Sequence, residues 1–347
     1  MESITLPRIF FQNKNLAKEF NQKRYLNTVG KWVKYSPDDP RISIEVLADA
    51  FYSSWSSAIK TNDNIFEPSL YLSPRDQQAI SEDLEKEPTH EIPRGIVSAN
   101  NGSLNNYYHW SIQTMPSIAL TKKYLKEGFK LILRNGLNRY QKEWLSLLNI
   151  DINSDQVFRI KRREIVHAKE LIVPLTLYKP YDYQPSKKAL TQLREQILKS
   201  TNTSQRPKEN PKKIYISRLD SKKARGLQNE KHLESQLKEL GFLIVRSTEW
   251  SVSDQIHFFQ NAELIVAPHG AGLSNIVFAN PECRIIEINQ SNYFNPCFSA
   301  LHSCMEFRGI YDHYIAPPKT NNKKDTNSKH NQKTRVNNAK LIDLIMT

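Results

Sequence analysis

From about residue 94 onward, the hydrophobic positions fall into short unbroken runs that alternate with helical stripes. Strand-like runs at 95–99, 130–134, 157–160 and 170–173 are interleaved with helical patterns at 104–125, 139–148 and 186–199. The first of these helical patterns should kink before Pro116, because proline cannot continue the hydrogen-bond ladder. The stretch 200–213, STNTSQRPKENPKK, then loses all apolar content and carries prolines, which marks a linker. Alternation resumes with a strand at 213–217, a helix at 230–240 ended by Gly241, and a strand at 242–246. A helix at 253–260 opened by a Ser251/Asp254 capping box and strands at 264–267 and 284–288 complete the series. Strands alternating with helices predict an α/β fold built on mostly parallel sheets.

The remaining segments are organised around these two halves. Residues 1–90, irregular apart from a strand-like piece at 42–46, read as a capping layer on the first domain. Residues 91–200 read as that first α/β domain, 201–212 as linker and 213–318 as the second. A polar, lysine-rich run over 319–338 reads as disordered tail, and 339–347 as a closing helix.

Length and charge narrow the partners. A chain of 347 residues exceeds what a single core usually holds. The net charge of +13 implies a polyanionic partner: nucleic acid, an anionic membrane face or a phosphorylated small molecule. Part of that charge sits in the tail, where Lys319, Lys323, Lys324, Lys329, Lys333 and Arg335 face only Asp325. Aromatics are not interleaved there, so a flexible arm at an anionic membrane fits better than a specific nucleic-acid site. Cys283, Cys297 and Cys304 show no paired spacing, which suits a reducing compartment. No window is apolar enough for a membrane span and residues 1–14 carry no apolar signal core, so the expected location is the cytoplasm.

The candidate chemistry centres on AELIVAPHGAGLSN, residues 262–275. An apolar strand runs into Pro268, and His269, Gly270, Ala271 and Gly272 follow. Glycines so close together allow a sharp turn and close approach to a ligand. Ser274 or Asn275 would cap a helix through 276–278, whose first N–H groups and macrodipole favour phosphate. Asn275 stands where a dinucleotide fingerprint requires Gly or Ala, which argues against an NAD site. The competing reading is a tight turn around a buried structural histidine.

Other polar residues follow the predicted strands of this half and should share the carboxyl rim of one sheet. Ser217 and Arg218 come first, then 247–249, then His269, then Glu287 with Asn289 beyond it. Arg218, Arg225 and Lys222 or Lys223 would supply cations for phosphate oxygens, and Glu287 an acceptor for ribose hydroxyls. Each is equally readable alone as a solvated loop or strand-end residue; their convergence carries the prediction of a nucleotide pocket. In the first half, His109 within NNYYHW is either a general base or a packed core histidine. No D-x-D triad occurs to seat a metal for a diphosphate.

YYHW…P at 107–116, YISR…R…NE at 215–230, APHGAGLSNIVF at 267–278 and IIEI at 285–288 form an ordered series that resembles glycosyltransferase family 61, the capsular polysaccharide biosynthesis group. The resemblance implies a GT-B architecture, two Rossmann-like domains facing a cleft. It also implies inverting, usually metal-independent transfer from a nucleotide sugar, often UDP-linked, to a glycan or lipid-linked glycan, with no cofactor beyond that substrate. By position, Arg218, Arg225, Asn229 and Glu230 would belong to the donor site, residues 269–272 would hold the diphosphate, Glu287 would meet the ribose and His109 would lie near the acceptor. Many relatives carry Asp or Glu four residues after this histidine and Arg after the proline, where this chain has Gln113 and Ser117.

Overall fold

The computed structural model describes residues 7–19, 43–62, 64–67, 82, 84–98, 105–178, 184–203, 210–221, 226–291, 293–317 and 333–347. The chain divides into two compact units: Tyr35–Thr203, the first unit, and Ser204–Thr347 together with Met1–Lys34, the second. Three sequence expectations fall outside the described residues. They concern 204–209 of the linker, the donor-loop cations Lys222, Lys223 and Arg225, and residues 319–332 of the tail expected to be disordered. The end of that tail, 333–338, is ordered instead: Thr334 and Val336 are buried, Thr334 bridges to Leu227, and the closing helix begins at Asn338.

The first strand, β1 (Arg8–Phe11), belongs to the second unit. In the first unit the seven-stranded sheet is made of β2 (Ser43–Ser53), β3 (Ile59–Thr61), β4 (Asn64–Ile65), β5 (His90–Val97), β6 (Lys130–Arg134), β7 (Val157–Ile160) and β8 (Ile165–Leu175), in the spatial order β4-β3-β2-β8-β5-β6-β7. The strands β5 to β8 run parallel, and β2 extends the sheet antiparallel to β8. Ile92, Val97, Ile132, Val166, Leu171 and Val173 pack in its core. Residues 43–53, 59–61 and 64–65 are thus part of the sheet rather than a cap on it. The strand expected at 170–173 runs the whole length of β8, because its polar residues His167, Lys169 and Glu170 are set among buried apolar ones.

The expected 104–125 helix is three segments among its described residues: a π-helix at His109–Thr114, α1 (Met115–Thr121) and a 3₁₀ turn at Lys122–Glu127. The N–H of Met115 reaches back to Trp110 O, and Pro116 sits in the first turn of α1, directly after the junction of the π-helix and the α-helix. The wider π turn therefore accommodates the proline at which a kink is expected. Next come α2 (Arg139–Leu147) and α3 (Lys187–Thr203), the latter continuing past the expected end at 199.

In the second unit, β9 (Lys213–Ile216), α4 (Glu230–Glu239), β10 (Leu243–Val245), α5 (Val252–Asn261), β11 (Leu264–Pro268), β12 (Arg284–Gln290), α6 (Cys297–Cys304), β13 (Tyr311–Ala316) and α7 (Asn338–Met346) follow in sequence. The parallel sheet has the order β1-β13-β12-β11-β9-β10. Its order reverses between β9 and β11, which is the switch point where such sheets open a crevice at their carboxyl ends. Tyr215, Val266, Ile286, Ile288 and Tyr314 pack against Leu233 and Leu237 of α4 and against Leu341, Leu344 and Ile345 of α7. The alternate residues Ile214, Ile265, Ala267 and Ile285 are equally buried on the other face. Burial on both faces explains the unbroken apolar runs. The predicted capping box forms, with Ser251 accepting from Asp254 N, and Gly241 adopts φ 81° after α4.

Residues 8–11, which the sequence pattern places in a cap on the first domain, form instead the edge strand beside β13. An ion-pair cluster fixes them there. Asp312, fully buried, accepts from Arg8 Nε at 2.6 Å and Nη2 at 2.8 Å, and from Arg284 Nε at 2.9 Å, while Arg284 Nη2 also donates to Leu344 O at 2.8 Å. One carboxylate thus ties β1, β12, β13 and α7 together. Removing its charge leaves two guanidinium groups without their counter-ion, so Asp312→Asn should lower unfolding stability by roughly 3 kcal/mol. Urea denaturation checks this, and an unchanged midpoint would contradict it.

Candidate functional site

The site is built at the switch point from the loops that leave β9 and β11. The backbone N–H of Arg218 donates to Glu230 Oε1 at 2.7 Å, which fixes the chain as it leaves β9. Its guanidinium then reaches across the crevice mouth and donates to His269 O at 3.3 Å and Ser221 Oγ at 3.4 Å. This position explains Gly270. Its backbone is extended, with φ 175°, so no left-handed conformation calls for glycine; a Cβ there would overlap the Arg218 guanidinium. At Gly272 a Cβ would press on Ile216 at 3.0 Å. The glycines thus let an arginine and a strand approach the loop, and a cation lies beside the start of the 3₁₀ helix Ala271–Phe278.

Strand register assembles the second part. Glu287 on β12 and His313 on β13 are directly paired, and His269 directly follows β11. The Glu287 side chain is fully buried. It accepts from His269 Nδ1 at 2.5 Å and from Tyr311 Oη at 2.8 Å, with His313 Nδ1 at 3.2 Å. Burial pushes its pKa up, but hydrogen bonds from His269 and His313, and their charge, outweigh that and hold it at about 2. Because a carboxylate only accepts, His269 carries its proton on Nδ1 in this bond and turns Nε2 to any ligand. The rings of Tyr293 and Phe298 lie 5.7 Å and 5.1 Å from the His269 ring and enclose it.

Several expected contacts change meaning in this geometry. Glu287, expected to meet a ribose, has no exposed surface and serves to hold His269. Glu230, expected in the donor site, is also buried; it accepts from Tyr215 Oη, Arg218 N and Leu227 N. Its pKa is raised because burial outweighs those bonds. Asn229 donates to Val336 O at 2.9 Å and Asn338 Oδ1 at 2.6 Å, pinning the C-terminal segment instead of facing the rim. Ser274 and Asn275, expected to cap a helix, lie inside the 3₁₀ helix that begins at Ala271, and both are fully buried. Asn275 donates to Gln255 Oε1 at 3.3 Å. The sheet therefore brings together Arg218, His269, Gly270, Ala271 and Gly272, supported from below by Glu230 and Glu287. Arg225 lies outside the described residues. Tyr311 and His313 escape the sequence pattern because their strand, YDHYIA, is broken by polar residues. Those residues are Asp312, which holds two arginines, and His313, beside Glu287.

In the first unit, His109 is half-buried on the π-helix and bonds through Nδ1 to Gln113 Oε1 at 2.7 Å. An amide oxygen accepts, so the proton again sits on Nδ1 and Nε2 is left basic. Burial lowers the pKa of His109, with the Gln113 bond opposing, which keeps the ring neutral near pH 7. Ser117 is buried and shares a 2.7 Å hydrogen bond with Thr176 Oγ1. Tyr107 packs edge-on against Tyr140 at 5.2 Å, and Trp110 is buried. Among the described residues no group of three or more His, Cys, Asp or Glu is arranged to hold a metal ion, and no helix is long and apolar enough to cross a membrane.

The depressed pKa of Glu287 gives stability that is fully present above about pH 4.5 and is lost as pH falls from there through about 2. That shift corresponds to roughly 3 kcal/mol. Glu287→Gln should be less stable than the native chain at pH 7 and should lack this component of acid sensitivity. Urea midpoints at pH 7 and pH 3 test it; equal acid sensitivity in both proteins would contradict the assignment.

No curated protein matches the chain. The sequence profile described as Glycosyltransferase 61 matches residues 107–286, more than half of the chain, from just before His109 into the strand that carries Glu287. With His109, Arg218 and the loop 269–272 all inside the matched segment, the chain belongs to the glycosyltransferase 61 family.

Proposed function

We propose that this glycosyltransferase is an inverting GT-B enzyme. It moves a sugar from a nucleotide-sugar donor, UDP-linked in the first instance, to a glycan or lipid-linked glycan in surface polysaccharide synthesis. The observation that carries the reading is the Arg218 guanidinium lying on Gly270 at the switch point, beside a helix start and a carboxylate-held histidine. This arrangement suits a diphosphate, whose charge needs preorganised donors as the bond to the sugar breaks. The acceptor hydroxyl oxygen bonds to the anomeric carbon while the bond from that carbon to the diphosphate oxygen breaks. His109 Nε2 takes the hydroxyl proton; the electron pair of the broken bond leaves on the diphosphate, which Arg218, the 3₁₀ N–H groups and His269 receive. With no D-x-D triad in the sequence, these groups take the place of a metal in this proposal. We place the enzyme in the cytoplasm, with the lysine-rich tail near an anionic membrane where a lipid-linked acceptor resides.

Gln113 favours a second reading. A neutral amide in the place of a carboxylate orients His109 without strengthening it as a base, as in a protein that binds the donor without turnover. A donor-turnover assay separates the two.

Arg218→Ala should weaken UDP binding at least about tenfold in calorimetry, the scale of one charge-assisted hydrogen bond. Unchanged affinity would contradict the diphosphate role. His109→Ala should lower kcat by about 100-fold or more while leaving UDP affinity intact, as expected for loss of a general base. Full activity in that variant would remove His109 from the mechanism.

A further inference from the structure

A crevice opens at the carboxyl ends of β11 and β12, lined by Leu227, His269, Ile288, Asn289, Tyr293 and Thr334 among others. One wall comes from the C-terminal segment, which lies outside the family-matched residues. Thr334 pairs with Leu227 as a parallel bridge: Gln228 N donates to Thr334 O at 2.8 Å, and Thr334 N donates to Gly226 O at 3.1 Å. Further anchors hold this strap in place. Asn229 bonds Val336 and Asn338, Tyr314 Oη donates to Asn337 O at 3.3 Å, and α7 packs on the sheet. A strap fixed by this many bonds is a built wall.

Among the crevice residues, Asn289 Oδ1 and Thr334 Oγ1 are buried without a hydrogen-bond partner among the described residues. Both residues are nearly fully buried, at 1% exposure. Asn289 Nδ2 lies 3.3 Å from Glu287 O and 2.9 Å from His313 Nδ1; because His313 Nδ1 carries the proton it gives to Glu287, the amide turned over pairs Oδ1 there instead, and in either setting one amide atom, acceptor or donor, is left for a ligand. Buried polar atoms left unpaired are costly, and a ligand that pairs them recovers that cost. Around them the lining is apolar and aromatic, from Leu227, Pro268, Ile288 and Tyr293. An apolar slot with an aromatic ring, one side-chain amide and one hydroxyl suits a flat heterocycle with polar edges.

We propose that the strap is the base-reading wall of the donor site: Thr334 Oγ1 and the side-chain amide of Asn289 bond the edge of the donor nucleobase, so the C-terminal segment sets which nucleotide is accepted. This rests on the nucleotide-sugar reading above and adds to it a specificity residue outside the family segment. His269 lines the same crevice and also borders the Arg218 cradle, so base and diphosphate would occupy adjoining parts of one rim.

The test is calorimetry on the full chain with uridine, cytidine, adenosine and guanosine diphosphates, and with inorganic pyrophosphate as the base-free probe. The native chain should prefer one nucleoside diphosphate over the others and over pyrophosphate. Thr334→Val, which keeps shape and removes the hydroxyl, should reduce that preference about tenfold, with pyrophosphate affinity unchanged. Thr334→Ser, which restores a hydroxyl, should recover most of it, and thermal melting of both variants separates lost binding from lost folding. If the native chain binds no nucleotide, the donor reading falls and the proposal with it. If it binds a preferred nucleotide and Thr334→Val binds the same one equally well, only the strap's role is overturned.

Discussion

A carboxylate with no solvent contact, Glu287, sits at the carboxyl end of a parallel sheet between two histidines and a tyrosine hydroxyl. Burying such a charge costs several kcal/mol unless its lone pairs are met. Here they are met only because three neighbouring strands are in register: Ala267 beside Glu287, and Glu287 beside His313. The same register that closes the sheet's core therefore orients His269, and a shift of one residue would put Glu287 on the face packed by α4 and α7. Stability and the placing of the candidate site depend on one alignment.

The second buried carboxylate, Glu230, acts similarly at the other side of the switch point. It gathers N–H groups from Arg218 and Leu227 and the hydroxyl of Tyr215, so the loop after β9 is held at both of its described ends. Arg218 can then lie on Gly270 without a long flexible search, which lowers the entropy cost of binding an anion. Both acids thus support groups at the rim rather than meeting a ligand themselves.

Much of the α/β pattern is legible in the sequence, because strands buried on both faces leave unbroken apolar runs such as 264–267. What is not legible depends on distant partners. Residues 8–11 carry no sign that they join a strand at the far end of the chain, and 311–316 looks too polar for a buried strand until Asp312 and His313 are seen with their partners. The charged residue in IIEI is itself a signal: an acid within a run buried on both sides requires an internal partner. Gly270 reads in the sequence as room for a ligand, whereas the close neighbour is an arginine, a contact no spacing reveals.

The most direct measurement is the imidazole nitrogen NMR spectrum of His269 in labelled protein, with and without UDP. The account predicts a proton on Nδ1, fixed by Glu287, and a shift of the Nε2 resonance when UDP binds. A proton on Nε2 with Nδ1 unprotonated, or an Nε2 signal that does not respond to bound UDP, would contradict it.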